Sequence, residues 1–351
     1  MNKNTKNTIR NLIIFILLII VTFSLILRNE DLGQIFSIIG SVKIEFVILG
    51  ALAMCLYFLS ESFNIWRILK ILGEKVNIFK AIKYTLAGFF FSSITPCASG
   101  GQPMEIYYMY KDNISRSYSI TALLVQLCCF QIVTIGFGII SAIFNADMLK
   151  EGLLALFILG VSINSIGLTF MLVCLFSKKL TKVLINFIIK IMQVFKYKKI
   201  EQKREELEKG LEKYNYGSEF IKQNKLIFIK SLLVVVFQMG MYYFVPYLLY
   251  RSFGLNEYSV IKLITVQALL YCSVSGLPFP GAVGISESVF LKIYLGIYGT
   301  TILSSAMLLN RGVNFYLFVI LSAIVVLINT ILFKENKKYS EVEENIENEI
   351  K

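Results

Sequence analysis

Residues 275–288 read SGLPFPGAVGISES, and they interrupt a chain that otherwise looks like continuous membrane-spanning helix. Pro278 and Pro280 remove backbone donors, while Gly276, Gly281 and Gly284 lower helix propensity. An acid, Glu287, follows at once. A carboxylate at the bilayer centre costs about 2.5–3.5 kcal/mol on insertion scales, so it has to face a cavity or a cation. The stretch therefore decides between a plain helical bundle and one built around broken helices.

The surroundings fix the class. Of 351 residues, 56% are hydrophobic, and the mean hydropathy is +0.68. Apolar runs at 11–27, 46–57, 118–144, 153–176, 226–250 and 312–333 approach or reach the roughly 18–20 residues that a spanning helix needs. The expectation is an all-α, polytopic integral membrane protein. A soluble α/β enzyme would show short apolar strands between polar helices instead. The first run follows Lys3, Lys6 and Arg10, lacks a small-x-small exit and is followed directly by Arg28, so it reads as an uncleaved span in preference to a cleaved signal.

Some chemistries are excluded. The chain has no histidine, which removes His-based triads, His metal ligands and imidazole relays. The six cysteines show no C-x-x-C spacing and read as small core residues. No metal, no cofactor and no catalytic residue are expected. The net charge of +12 is explained by the positive-inside rule, without nucleic-acid binding.

The same rule orients the chain. Lys3, Lys6 and Arg10 place the N-terminus in the cytoplasm; Arg67, Lys70, Lys75, Lys80 and Lys83 mark the next cytoplasmic loop. Residues 178–230 are basic as well, and Lys334, Lys337 and Lys338 bring the C-terminus inside. The layout is one membrane domain, 1–333, with a first half to about 177, a linker at about 178–225 and a second half at about 226–333. A charged cytoplasmic tail, 334–351, follows. The linker opens with Leu180, Val183, Leu184, Phe187, Ile188 and Ile191 at helical spacing among lysines, which suits an anionic leaflet. It continues as a solvated helix with Glu205 and Lys209 four apart.

Four of the five prolines fall in two short stretches. The second is the opening one; the first is TPCASGGQPMEIYYMY, residues 95–110, with Pro96, Gly100, Gly101 and Pro103. Unwound backbone at membrane depth survives only where protein buries it or where it lines a wet cavity. The apolar half-helices flanking each break are too short for comfortable spans. They predict two re-entrant hairpins, the first opening from the cytoplasm and the second from outside. Opposed broken hairpins in the two halves of a chain point to an inverted-repeat transporter with a midplane site. Residues 95–103 and 276–284 should then be non-helical and meet near mid-membrane.

The polar residues at the breaks are the binding candidates. Glu287 sits in the first turn of a returning half-helix, where the dipole favours an acid and free amides face a phosphate. Gln102 and Glu105 occupy the matching place in the first break. Glu61 reads as interfacial. Arg311 lies either at the outer interface or against an anionic headgroup. Gln126, Gln131, Gln238 and Gln267 read as interhelical hydrogen-bonding residues. Tyr107, Tyr108, Tyr110, Tyr242, Tyr243, Tyr247 and Tyr250 read as an interfacial belt.

At the two motifs the chain resembles the transmembrane-region family of bacterial lysylphosphatidylglycerol synthase, the multiple peptide resistance factor. The family's second-half motif, Pro-x-Pro-Gly-Gly-x-Gly-x-x-Glu with a later arginine, is matched by Pro278, Pro280, Gly281, Gly284, Glu287 and Arg311, with Ala282 in place of one glycine. In the first-half motif Pro96 and Gly101 fit. Gln102 stands where an acid is usual and Glu105 where an arginine is usual, so no phosphate-binding arginine carries over to 105. The resemblance implies a flippase-type module of the bacterial cytoplasmic membrane for an anionic or aminoacylated phospholipid such as lysylphosphatidylglycerol. It also implies a role in resistance to cationic peptides and, as a partner, a separate synthase. The alternatives it implies are a phosphatidylglycerol lysyltransferase, although no nucleophile paired with a base supports that chemistry, or a non-transporting membrane partner of such a synthase.

Overall fold

A computed structural model describes residues 31–177 and 200–330, with isolated positions at 17, 182, 183, 186, 189 and 190. The span expected at 11–27 apart from Leu17, most of the amphipathic stretch after Lys178 and the tail from 334 lie outside the described residues.

The described residues form helices joined by short turns, with no strand among them. In chain order these are α1 (Leu32–Gly40), α2 (Ile44–Ile71), α3 (Ile78–Ser93), α4 (Gly101–Lys111), α5 (Arg116–Phe144) and α6 (Glu151–Phe176). The second half holds α7 (Ile200–Gln223), α8 (Lys225–Ser252), α9 (Val260–Val274), α10 (Ile285–Ile293) and α11 (Leu295–Arg311). Beyond Arg311, α11 passes through a π turn, Gly312–Tyr316, and runs on to Thr330. Five helices are long and apolar enough to cross a bilayer: α2, α5, α6, α8 and the continuous Leu295–Thr330. Their outward faces carry bare apolar side chains such as Ile143 and Ile166, as a lipid-facing surface requires. The chain is a multi-pass helical membrane protein.

Two boundaries differ from expectation. The last span starts 17 residues before 312, at Leu295, so Arg311 lies inside a helix and not at its edge. The first break is shorter than 95–103, because the helix resumes at Gly101. Gly101, Gln102 and Pro103 are its first three residues, and a first-turn proline sacrifices no intrahelical bond there.

Helices α2 and α8 are the antiparallel axis of the bundle, pinned at both ends. At one end the Lys43 amide donates to Ser252 O at 2.9 Å. At the other, Arg67 Nη2 donates to Ile227 O at 3.2 Å and to Ser231 Oγ at 2.6 Å. Helix α3 starts from the Arg67 end, where the Trp66 indole donates to Val76 O. Helix α4 returns to that end, where Lys83 Nζ and the Tyr84 hydroxyl both bond Asp112 at 2.6 Å. Helix α9 starts from the opposite, Ser252 end. Helix α10 returns there, where the Tyr258 hydroxyl donates to Gly296 O at 3.1 Å. The α3–α4 and α9–α10 hairpins thus enter the bundle from opposite ends, and their tips lie against each other.

The linker helix α7 is less solvated than expected. Ser117 Oγ donates to Gly210 O, and the Tyr214 hydroxyl donates to Cys174 O at 2.6 Å, so one face packs on the ends of α5 and α6. Burial pushes the Tyr214 phenol up to about 12, which keeps it a donor. Of the cysteines, Cys128, Cys129 and Cys272 are core residues as expected, whereas Cys55 and Cys97 are exposed.

Candidate functional site

The two hairpin tips have the same backbone. Thr95 and Phe279 are extended, Pro96 and Pro280 open a 3₁₀ turn, and the next two residues are left-handed in both. Those are Cys97 (φ 54°) and Ala98 (φ 52°) in the first tip, Gly281 (φ 59°) and Ala282 (φ 52°) in the second. The same pair of bonds closes each turn: Ala98 N–H to Thr95 O and Ser99 N–H to Pro96 O, against Ala282 N–H to Phe279 O and Val283 N–H to Pro280 O. Three of these four left-handed residues carry a Cβ, a strained state that folds retain where surrounding structure enforces it. The sequence signal for this equivalence is Pro-x-Ala-x-Gly, at Pro96, Ala98 and Gly100 and again at Pro280, Ala282 and Gly284. It is too short to stand out in a comparison of whole halves.

A cavity of about 280 Å³ opens between the tips. The first hairpin contributes Thr85, Gly88, Cys97, Gln102 and Glu105 to its wall, and the second contributes Ser275, Gly281 and Ser286. Helix α2 adds Tyr57 and Glu61, α5 adds Gln126, α8 adds Tyr242, and α11 adds Arg311 and Asn314. Of the residues expected to bind, Gln102, Glu105, Gly281 and Arg311 therefore share one wall. Glu287 and Gly284 stand behind it.

Glu287 is fully buried and its oxygens are already occupied. Oε1 accepts from Arg311 Nε at 2.8 Å and from the Tyr316 hydroxyl at 3.4 Å; Oε2 accepts from the Gly284 amide at 2.7 Å. Gly284, at φ 90°, turns its N–H back toward the third residue of α10. Arg311 also donates from Nη2 to Gly281 O in the tip at 3.0 Å, and its guanidinium lies 4.2 Å from the Phe315 ring centroid. Arg311 is buried and not at the outer interface; within the chain its charge partner is Glu287, and it also lines the cavity. The reason is register, since α11 continues through 311 and brings the side chain against the start of α10. The π turn directly after Arg311 widens the helix at this point.

Glu105 is buried without a hydrogen bond or ion pair among the described residues, and it faces the cavity. Its carboxyl lies where α3 offers only Gly88; a Cβ on Gly88 would fall on it. Glu61, expected at the interface, lines the same cavity instead. Glu61 ends a chain of side-chain bonds. Arg67 Nη2 donates to Asn64 Oδ1, Asn64 Nδ2 to Gln126 Oε1, Gln126 Nε2 to Gln238 Oε1 and Gln238 Nε2 to Glu61 Oε2, at 2.6–3.0 Å. Gln126 and Gln238 thus join helices as expected, and Gln267 accepts from the Tyr294 hydroxyl. Gln131 Oε1 has no partner among the described residues. Glu61, Asn64 and Arg67, three apart on one helix face, are the sequence signal for this chain.

The tyrosines divide. Tyr107 and Tyr110 are exposed at the end of α4, next to Lys111 and Arg116, as a belt would be. Tyr242, Tyr243 and Tyr250 are interior: Tyr242 packs on Tyr57 and Tyr271 beside the cavity, and Tyr250 accepts from the Glu257 amide. Position in an apolar run did not distinguish the two kinds.

A family model described as the lysylphosphatidylglycerol synthase TM region matches residues 11–322. Among curated proteins, nothing matches the chain.

Proposed function

As the chain belongs to the lysylphosphatidylglycerol synthase transmembrane-region family, we propose that it moves a phospholipid, aminoacylated phosphatidylglycerol above all, across the bacterial cytoplasmic membrane. One observation carries this: a cavity with buried acids and an arginine in an otherwise largely apolar wall lies between the tips of two broken hairpins that enter from opposite ends of the bundle. Such a site is reached from either face by small movements of one hairpin against the other, which is what alternating access needs. Arg311 and the first-turn amides of α10 suit a phosphate, since those amides have no intrahelical acceptor. The Arg67 end, with Lys70, Lys75, Lys80 and Lys83, is the cytoplasmic face in this proposal, and outward movement follows. Delivery of a cationic lipid to the outer leaflet lowers its negative potential, and with it the attraction of cationic peptides.

The test is reconstitution of the full chain in proteoliposomes with a fluorescent headgroup-bearing lipid and an impermeant quencher. The expected result is a fraction of quenched lipid above that of protein-free vesicles, on a timescale of minutes. A cysteine introduced at Glu208, labelled by an impermeant maleimide in the same vesicles, reports the direction of insertion. Equal quenching with and without protein would overturn the proposal. A new aminoacyl lipid in cells that express only this chain would replace it with the lysyltransferase alternative.

A further inference from the structure

The cavity is unevenly supplied with charge. Its cation, Arg311, is held by Glu287 and by Gly281 O. Two more acids face the same space, Glu61 and Glu105, and among the described residues no lysine or arginine forms an ion pair with either. Two other residues that line the cavity, Thr85 and Asn314, each hold a buried side-chain oxygen, Oγ1 and Oδ1, without a hydrogen-bond partner among the described residues. Buried polar atoms left unpaired are rare in native folds, and carboxylates inside a membrane normally find a cation. Glu61 of α2 and Glu105 of α4, with Thr85 of α3 and Asn314 from the continuation of α11, therefore line a space that no described side chain fills.

The chemistry of the missing group follows. It must bring donors and positive charge and need no acceptor partner, which describes a primary ammonium group with its three N–H bonds. A dehydrated metal ion fits less well. No group of three or more acidic, cysteine or histidine side chains converges among the described residues, and about 280 Å³ is far more than one ion occupies. The same volume is too small for acyl chains and suits a headgroup or a small amine.

We propose that Glu61 and Glu105, with Thr85 and Asn314, form a subsite for a primary ammonium group, carried into the cavity by an aminoacyl lipid headgroup. The lipid as source rests on the translocation proposed above; the ammonium chemistry does not. Arg311 would then face the phosphate of the same lipid, so one headgroup meets acids at one end and a guanidinium at the other.

The experiment is calorimetric titration of the full chain in detergent with short-chain lysylphosphatidylglycerol and with its Nα,Nε-diacetylated form, which keeps the phosphate and loses both ammonium charges. Wild-type protein should bind the free amine about ten-fold more tightly, the size of one charge-assisted hydrogen bond. In a variant with both Glu61→Gln and Glu105→Gln the preference should shrink to about two-fold or less. A wild-type protein that does not distinguish the two lipids, or a variant that distinguishes them as well as wild type, overturns the subsite. Should the double variant not fold, Glu105→Gln alone is decisive, because Glu105 has no hydrogen bond to lose among the described residues; an unchanged preference in it overturns the subsite equally. If neither lipid binds, cadaverine separates the two proposals. Cadaverine binding that the glutamine variants lose keeps the subsite, with a free amine as its source, and removes the lipid. Absence of cadaverine binding as well removes the subsite.

Discussion

The two hairpins share a turn and differ in what they do with an acid. In both, the helix resumes five residues after the turn proline, at Gly101 and at Ile285. Glu287 is the third residue of its helix and reaches back to the Gly284 amide, where Arg311 meets it. Glu105 is the fifth residue of its helix, half a turn further in. From there it cannot reach the helix start, and it faces Gly88 and the cavity. An offset of two residues thus separates a carboxylate that holds the structure together from one that faces the cavity. The equivalent of Glu287 in the first hairpin, seven residues after the proline, is Pro103.

The largest test of that contrast is removal of the partner. Arg311→Met leaves Glu287 buried and unpaired, and should cost about 3–5 kcal/mol. Glu105→Gln removes no partner and should change stability by less than about 1 kcal/mol. Denaturant unfolding of both variants in the same detergent reads the difference, and similar losses would break the distinction between the hairpins.

A smaller effect is expected at the contact between α3 and α4. Gly88→Ala should cost about 1–3 kcal/mol, because the added methyl displaces the Glu105 carboxyl. In a Glu105→Ala background the same substitution should cost nothing, or stabilise slightly through the better helix propensity of alanine. A Gly88→Ala penalty that persists without Glu105 would show that something else occupies that space.

The smallest effect concerns what the hairpins share. Ala98 and Ala282 have the same left-handed φ of 52°, so glycine at either should relieve strain by the same amount. Each substitution should raise stability by no more than about 1 kcal/mol, because glycine also adds entropy to the unfolded chain. Thermal unfolding shifts of opposite sign would mean that the two turns are not equivalent.

Much of the site was legible as backbone. Proline and glycine act on their own neighbours, so Pro96, Pro278, Pro280 and Gly284 announced the breaks from local chemistry alone. Glu61 was less visible, because one acid near the end of an apolar run looks the same whether it faces water, lipid or an internal space. The interior position of Arg311 was hidden for a similar reason, since an apolar run starting at 312 masks the fact that the helix began at Leu295. Tyr242 and Tyr243 show the limit most plainly: hydropathy places them in a span but does not say which way they turn.

By itself, then, the sequence determined the quantities that depend on composition and nearest neighbours. These are a multi-pass helical chain, two broken stretches, no histidine chemistry, and polar side chains placed at the breaks. Only the tertiary structure decided which charges meet. Glu287 and Arg311 are 24 residues apart and pair because α10 and α11 pack at one register. Glu61 and Glu105 share a cavity because hairpins entering from opposite ends meet tip to tip beside α2. Pairing of this kind depends on the directions of packed helices, which no window of neighbouring residues contains.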